Sequence, residues 1–269
     1  LTGLTPGSTY HYRVRSGGAT LSEDNILRTP SAPDQAHRFA VIGDFGYHDP
    51  ATKRIAQQVE EHAPDWLLTV GDNIYPNGQP GDYDDYWFRP YAATMARAPT
   101  FPALGNHDVL SENGRWFREY FHLPQNGPSG LEERTYAVDY GNVHIAVIES
   151  NAFHKGNAAE MDAIAEWLEA DLEATGQPWK LVSLHHPLYT SSGSHGSTEL
   201  LKRHLAPIFE RAGVQIVFQG HNHFYERLNP VNGVHYITVG AGGMSLHEAT
   251  RRERYSALVN DMAHSFALV

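Results

Sequence analysis

At 269 residues the chain is long enough for one α/β domain of ordinary size with part of a second attached. Its content, 41% hydrophobic and 19% charged, is that of a globular protein, and no apolar run approaches the ~18 residues that a membrane-spanning helix needs. A formal net charge of −11 argues against a nucleic-acid-binding module. A small phosphate ester stays possible, because bound cations reverse the sign locally. With no cysteine, a disulfide framework, a zinc–thiolate site and a cysteine nucleophile are excluded, and the 17 histidines direct the search to metal ligands.

Residues 1–33 stand apart from the rest. Leu4–Thr9 is rich in turn formers; then Tyr10, Tyr12 and Val14 alternate with His11, Arg13 and Arg15, the period of a half-buried strand. A second short strand is predicted near Ile26–Thr29, and Pro30–Pro33 reads as a linker. Two strands are not a stable unit alone. Residues 1–33 are therefore expected to be the C-terminal remnant of a β-sandwich, with a catalytic domain over 34–269. The chain begins at Leu1 without a visible signal peptide, and Phe266–Val269 reads as mid-strand, so a longer parent protein is expected.

From Arg38 onward, strands and helices alternate. Phe39–Ile42 ends in Gly43-Asp44; Ala51–His62 is amphipathic, with Ile55, Ala56 and Val59 on one face; Trp66–Val70 ends in Gly71-Asp72. Within Tyr83–Tyr91 the aromatic residues are expected to be core or pocket wall. Pro99–Leu104 leads into Gly105-Asn106-His107-Asp108, and Val143–Ile148 reads as a buried strand. A helix is predicted at Met161–Leu172, a strand at Lys180–Leu184 before His185-His186, and a helix at Thr198–Ala212 stopped by Gly213. Val214–Phe218 precedes Gly220-His221-Asn222-His223, and Tyr236–Val239 precedes Gly240–Gly243. In α/β sheets, ligands bind beyond the carboxyl ends of the strands, so clusters far apart in sequence can meet on one rim.

Asp44, Asp72, Asn106, His185, His221 and His223 all occupy such strand ends. Carboxylate, amide oxygen and imidazole together suit a pair of first-row metals better than calcium or a structural zinc. Each cluster has a plainer reading when taken alone. An Asp after a strand is most often a turn or cap residue, Asn106-His107-Asp108 could be a turn, and His185-His186 a loop pair. His221 and His223 are more informative, because two histidines two apart can face one ion or a pair of ions. The conjunction of clusters, each at a strand end, carries the metal reading.

In this order the motifs resemble the metallophosphoesterase signature and, in detail, that of the purple acid phosphatases. The wider superfamily begins with Asp-x-His, whereas Asp44-Phe45-Gly46 lacks the histidine. Purple acid phosphatases also have Gly there and supply a tyrosine from the second motif, which here is Gly71-Asp72-Asn73-Ile74-Tyr75. Gly105-Asn106-His107-Asp108, Val182-Ser183-Leu184-His185 and Gly220-His221-Asn222-His223-Phe224-Tyr225-Glu226-Arg227 continue the likeness over roughly residues 38–269. The run Leu-x-Gly-Leu-x-Pro-x-x-x-Tyr-x-Tyr-x-Val from Leu1 to Val14 resembles the later half of a fibronectin type III-like domain, the domain order of plant-type members.

This resemblance implies a four-layer α/β/β/α sandwich preceded by the end of a β-sandwich. It also implies an Fe(III) ion held by Asp44, Tyr75, His223 and a shared Asp72, and a divalent Zn, Mn or Fe ion held by Asp72, Asn106, His185 and His221. His185 is preferred to His186 because it fits the Val-x-x-His spacing. Tyrosinate on Fe(III) would give the purple colour. The two ions bring about +5 and their anionic ligands with a hydroxide remove about four, so roughly one positive charge is left to draw a phosphate. The implied reaction is hydrolysis of a small phosphate monoester by metal-bound hydroxide, an acid phosphatase activity. The leaving group needs a proton, for which His107 and His195 are the candidates, His195 lying at an offset that resembles a substrate-binding histidine of plant-type members. A phosphodiesterase or nucleotide-hydrolysing enzyme with the same metals is the alternative. A binding protein with a degenerate site is the third reading, but no ligand position is missing. His11, His37, His62, His122, His154, His204 and His264 are assigned to surface or packing. Neither nucleic acid nor membrane is expected as a partner, the motifs carry no oligomeric state, and a secreted or periplasmic location follows from the family alone.

Overall fold

The computed structural model describes residues 3–30, 32 and 35–269. Ser31 and Pro33, half of the predicted linker, lie outside the described residues. In the N-terminal segment, β1 (Thr9–Tyr12), β2 (Arg15–Ser16), β3 (Ala19–Thr20) and β4 (Asn25–Arg28) form two antiparallel pairs, β1 with β4 and β2 with β3. Tyr10 and Tyr12 are the less exposed residues of β1, as the alternation predicts. The Tyr12 hydroxyl donates to the Ala96 carbonyl at 2.6 Å, which ties the segment to the body of the protein.

The remainder runs β5 (Phe39–Ile42), α1 (Pro50–His62), β6 (Trp66–Thr69), α2 (Pro80–Tyr83), a π-helical turn at Asp84–Phe88, α3 (Ala92–Arg97), β7 (Thr100–Pro102), α4 (Arg115–Tyr120), β8 (Tyr136–Tyr140) and β9 (Val143–Ile148). It continues with α5 (Asn151–Lys155), α6 (Ala158–Ala174), β10 (Trp179–Leu184), α7 (Glu199–Ala212), β11 (Ile216–Gln219), β12 (Tyr225–Leu228), β13 (His235–Val239), β14 (Ser256–Asn260) and β15 (Ala267–Leu268). One sheet has the order β15-β5-β6-β7 and the other β14-β12-β13-β11-β10-β9-β8. β5, β6 and β7 are mutually parallel, as are β9, β10, β11 and β13, while β15 pairs antiparallel with β5, β8 with β9, and β12 with both β13 and β14.

The period of two along each strand explains the layering. Phe39 and Val41 pack with Val143, Ile145, Val147, Leu181 and Phe218 between the two sheets. Ala40 and Ile42 face the other way, onto Ile55, Ala56 and Val59 of α1. On the second sheet, Ala146, Ile148, Val182 and Leu184 face Ile164 and Leu168 of α6 and Leu201, Leu205 and Phe209 of α7. Helix, sheet, sheet and helix therefore stack around three cores, the expected four-layer α/β/β/α sandwich. Central strands buried on both faces read in sequence as unbroken apolar runs, which is why they were predictable.

Two departures have local causes. α6 begins three residues before the predicted start, because Asn157 caps it by accepting from the Glu160 amide, and a cap lies outside the apolar periodicity. β12 carries a fully buried carboxylate, Glu226, which breaks the apolar pattern; its oxygens accept from the amide and hydroxyl of Ser191. Among the described residues no helix is long and apolar enough to cross a membrane.

Candidate metal centre

β5, β6, β7, β10 and β11 deliver their C-terminal loops to one rim where the two sheets meet. At three of these loops the chain turns through the left-handed region at a non-glycine residue: Asp44 (φ 55°), Asp72 (φ 49°) and His221 (φ 69°). Asp and His are among the side chains that tolerate this region best. The loops nest closely. A Cβ on Gly71 would lie 2.7 Å from the Gly105 nitrogen and 2.7 Å from His185 Nδ1, and one on Gly105 would overlap the Asp72 carboxylate. Glycine at both positions lets the second and third motifs touch.

All seven residues assigned to metal by sequence meet there. The Tyr75 hydroxyl lies 3.1 Å from Asp44 Oδ1, 3.0 Å from Asp72 Oδ2 and 3.1 Å from His223 Nε2. On the other side of Asp72, His185 Nε2 lies 3.3 Å from Asp72 Oδ2, 3.0 Å from Asn106 Oδ1 and 3.2 Å from His221 Nδ1. Ligand atoms of Asp72, His185 and His221 fall within 4.8 Å of one another. Asp44, Asp72, Tyr75, His185 and His223 are buried, and Asn106 and His221 are half-buried.

The surroundings aim these atoms. His185 Nδ1 donates to the Val70 carbonyl at 2.8 Å and His223 Nδ1 to the Ser245 carbonyl at 2.7 Å. A carbonyl only accepts, so each Nδ1 carries a proton and each Nε2 is turned to the cluster. Asp44 Oδ2 accepts from the His221 amide at 3.0 Å and Asp72 Oδ1 from the His107 amide at 2.8 Å, leaving one oxygen of each carboxylate for the centre. Asp108 stays outside the cluster. Its carboxylate accepts from the amides of Asn73, Ile74 and Gly105 and laces the second motif to the third.

The donor set fits cations on a count of protons. Tyr75 has one proton for three acceptors, and His185 Nε2 offers at most one to Asp72, Asn106 and His221 together. So many converging buried lone pairs call for positive charge. The titration behaviour agrees. Burial would raise the Asp72 carboxyl, but His185 and His107 outweigh it and hold it well below the usual carboxylate range. Burial lowers His185, but Asp72 overrides it and pushes the imidazole up to about 9. Burial, with Asp44 and Asp72 alongside, drives the Tyr75 hydroxyl far above its ordinary value, and burial next to His185 drives His221 down to about 2. A proton on His185 is thus the counter-charge that a metal would displace.

The two proposed proton donors flank the cluster. His107 Nδ1 donates to the Pro76 carbonyl at 2.6 Å; its Nε2 is 4.0 Å from Asp72 Oδ2, and its ring is 4.4 Å from that of Tyr75. His195, exposed on the loop after β10, has its ring 4.8 Å from His221. His186 is not in the ligand cluster: its Nδ1 meets Ser150 Oγ at 2.9 Å, and its ring stands 4.8 Å from His221.

Two histidines at the site escaped the sequence reading. His154, assigned to packing, stacks on His186 at 4.5 Å and lies 6.3 Å from His221. His247, given no role, stacks on His223 at 3.7 Å. Neither ends an apolar run, so spacing carried no signal; only the histidine count hinted at more. Of the aromatic run, Tyr83, Trp87 and Tyr91 are core, while Tyr86 joins Tyr47, His48, Lys53 and Arg89 around a cavity of about 460 Å³. Tyr47, which lines that cavity, has its ring 6.4 Å from that of Tyr75.

Residues 37–225 match the family Calcineurin-like phosphoesterase. The chain is 27% identical over 285 residues to Purple acid phosphatase 23 of Arabidopsis thaliana, covering 90% of this chain and 61% of that protein. It is 26% identical over 269 residues to Fe(3+)-Zn(2+) purple acid phosphatase 12 of the same plant, covering 88% and 56%. Among solved structures it is similar to a purple acid phosphatase isolated from yellow lupin (Lupinus luteus) seeds, with a TM-score of 0.85 at 23% identity, over 100% of this chain and 56% of that one. The chain therefore spans little more than half the length of these relatives.

Proposed function

The chain belongs to the calcineurin-like phosphoesterase family, and from that premise we propose that it hydrolyses phosphate monoesters at a centre of two metal ions. Fe(III) is assigned to Asp44, Asp72, Tyr75 and His223, and a divalent ion to Asp72, Asn106, His185 and His221. The observation that carries this reading is the Tyr75 hydroxyl, placed within 3.1 Å of Asp44, Asp72 and His223. Two carboxylates and a phenol suit a hard trivalent ion, and imidazoles with an amide oxygen suit a divalent one. Relatives named purple acid phosphatase, one of them Fe(3+)-Zn(2+), support the same assignment.

Bound ions supply Lewis acidity toward phosphoryl oxygens and lower the pKa of water. The protein does the rest. Its neutral imidazole and amide ligands preserve a small positive charge inside an acidic chain, which draws an oxyanion to the rim. His107 and His195 stand at the edge of the cluster, where a leaving alkoxide needs a proton.

Metal analysis, a visible spectrum and a pair of aryl substrates test the reading. Iron plus a second metal, a visible absorption band, and faster hydrolysis of phenyl phosphate than of its bis-phenyl ester are expected. A colourless, iron-free active enzyme would remove the purple-type centre. Preference for the bis-ester would make it a diesterase.

A further inference from the structure

We infer that His247 is a positioning residue of this site: its ring is a fixed plate that sets His195 over the metal centre. The inference rests on the hydrolytic reading above.

Three imidazoles are layered. His247 stacks on His223 at 3.7 Å with 16° between planes, and its other neighbour, His195, lies 5.0 Å away and nearly parallel at 3°. His247 is held from two directions by one residue. Its backbone amide donates to the His223 carbonyl at 3.1 Å, and its Nδ1 accepts from the His223 amide at 3.3 Å. Because an amide only donates, Nδ1 bears the lone pair and the ring proton sits on Nε2. Turning the ring over would leave that amide without its acceptor. Nδ1 is therefore not free for a metal, and the ring presents a face to His223.

His195 lacks comparable anchors of its own. Its amide bonds to Ser192 Oγ at 3.1 Å and its Nδ1 to Ser194 Oγ at 3.1 Å, both within the same exposed loop. The segment carrying His247 then laces onto that loop. The Arg251 amide donates to the Ser191 carbonyl at 2.9 Å, the Glu253 amide donates to Ser191 Oγ at 3.0 Å, and the Thr250 side chain fills the space where a Cβ on Gly193 would stand. Plate and lacing together restrict an exposed side chain to one orientation, edge-on to His221 at 88°. An unplaced ring would lose its alignment with a leaving group, and misplacement by about 1 Å costs on the order of a hundredfold in rate.

The test compares wild type, H247A, H247F, H195A and the H195A/H247A double variant, all loaded with metal, on phenyl phosphate. The expected result is a fall in kcat of roughly tenfold to a hundredfold for H247A, with metal content unchanged. H247F, which keeps a flat ring, recovers most of that loss, and H247A adds nothing in the H195A background. Independent, multiplying losses in the double variant overturn the inference, as does loss of metal in H247A or failure of H247F to rescue. The ring-proton NMR shift of His195, read in wild type and H247F against H247A, reports the stack without turnover: no change on losing the His247 ring overturns the inference even in an inactive protein. A wild type that hydrolyses no phosphate ester refutes the function itself, and so separates the two failures.

Discussion

The Tyr75 hydroxyl lies 3.0 Å from Asp72 Oδ2, and it is this same oxygen that faces His185 Nε2 at 3.3 Å on the opposite side. The other oxygen of Asp72 is engaged by the His107 amide. One carboxylate oxygen thus stands between a phenol-rich half and an imidazole-rich half of the site, the arrangement that a ligand shared by two ions requires.

Removing the phenol tests that division. Tyr75→Phe should lose the visible band and most of the iron while retaining the metal on the His185 side. Elemental analysis with absorption spectroscopy reads both. Unchanged iron and colour in the variant would show that Tyr75 is not a ligand.

The nesting of the loops makes a stability prediction. At Gly105 a methyl group would overlap the amide and carboxylate of Asp72. Gly105→Ala should destabilise the fold by about 1–3 kcal/mol through overpacking and weaken metal binding with it. Denaturant titration and metal analysis of the variant check the two effects. A variant as stable as wild type would show that the loops yield freely.

Metal loading should release protons. His185 is held up to about 9 by Asp72, so at neutral pH its Nε2 carries a proton that a ligand must give up. Adding metal to chelator-stripped protein in weak buffer should acidify it, and the thermal midpoint should rise, since a ligand at 100 times its Kd adds about 2.7 kcal/mol. Calorimetry in buffers of different ionisation enthalpy counts the protons; none released would contradict the assignment of His185.

A pH effect is expected far from the centre. His144 on β9 bonds Asp139 Oδ1 and Asp171 Oδ2, each at 2.8 Å, and Asp139 also accepts from Gln177. Burial lowers this imidazole, but hydrogen bonds to Asp171 and Asp139 outweigh it and raise it above the ordinary 6.5. A folded value above the unfolded one stabilises the protein in full below pH 6.5 and ceases to do so as pH rises through the folded value. The melting-temperature gap between wild type and His144→Gln should therefore be widest in mild acid and shrink toward alkaline pH. A gap independent of pH would mean that His144 is neutral in the fold.

Much of the architecture was legible because the central strands are parallel and buried on both faces. Phe39–Ile42, Trp66–Val70 and Lys180–Leu184 announce themselves as apolar runs, and polar residues directly after them mark the rim. The antiparallel strands β8, β12 and β14 were missed. Their solvent-facing residues, and the buried Glu226 of β12, dilute the pattern on which such reading depends.

By itself the sequence placed Asp44, Asp72, Asn106, His185, His221 and His223 on the rim, because strand direction and the residues after each strand are local properties of the chain. It could not decide which atoms face one another. That Asp72 presents a single oxygen to both halves, that His186 turns to Ser150 instead of the cluster, and that His247 lies against His223 all follow from how separate loops pack together. Those contacts depend on tenths of an ångström between segments far apart in the chain, and no spacing rule records them.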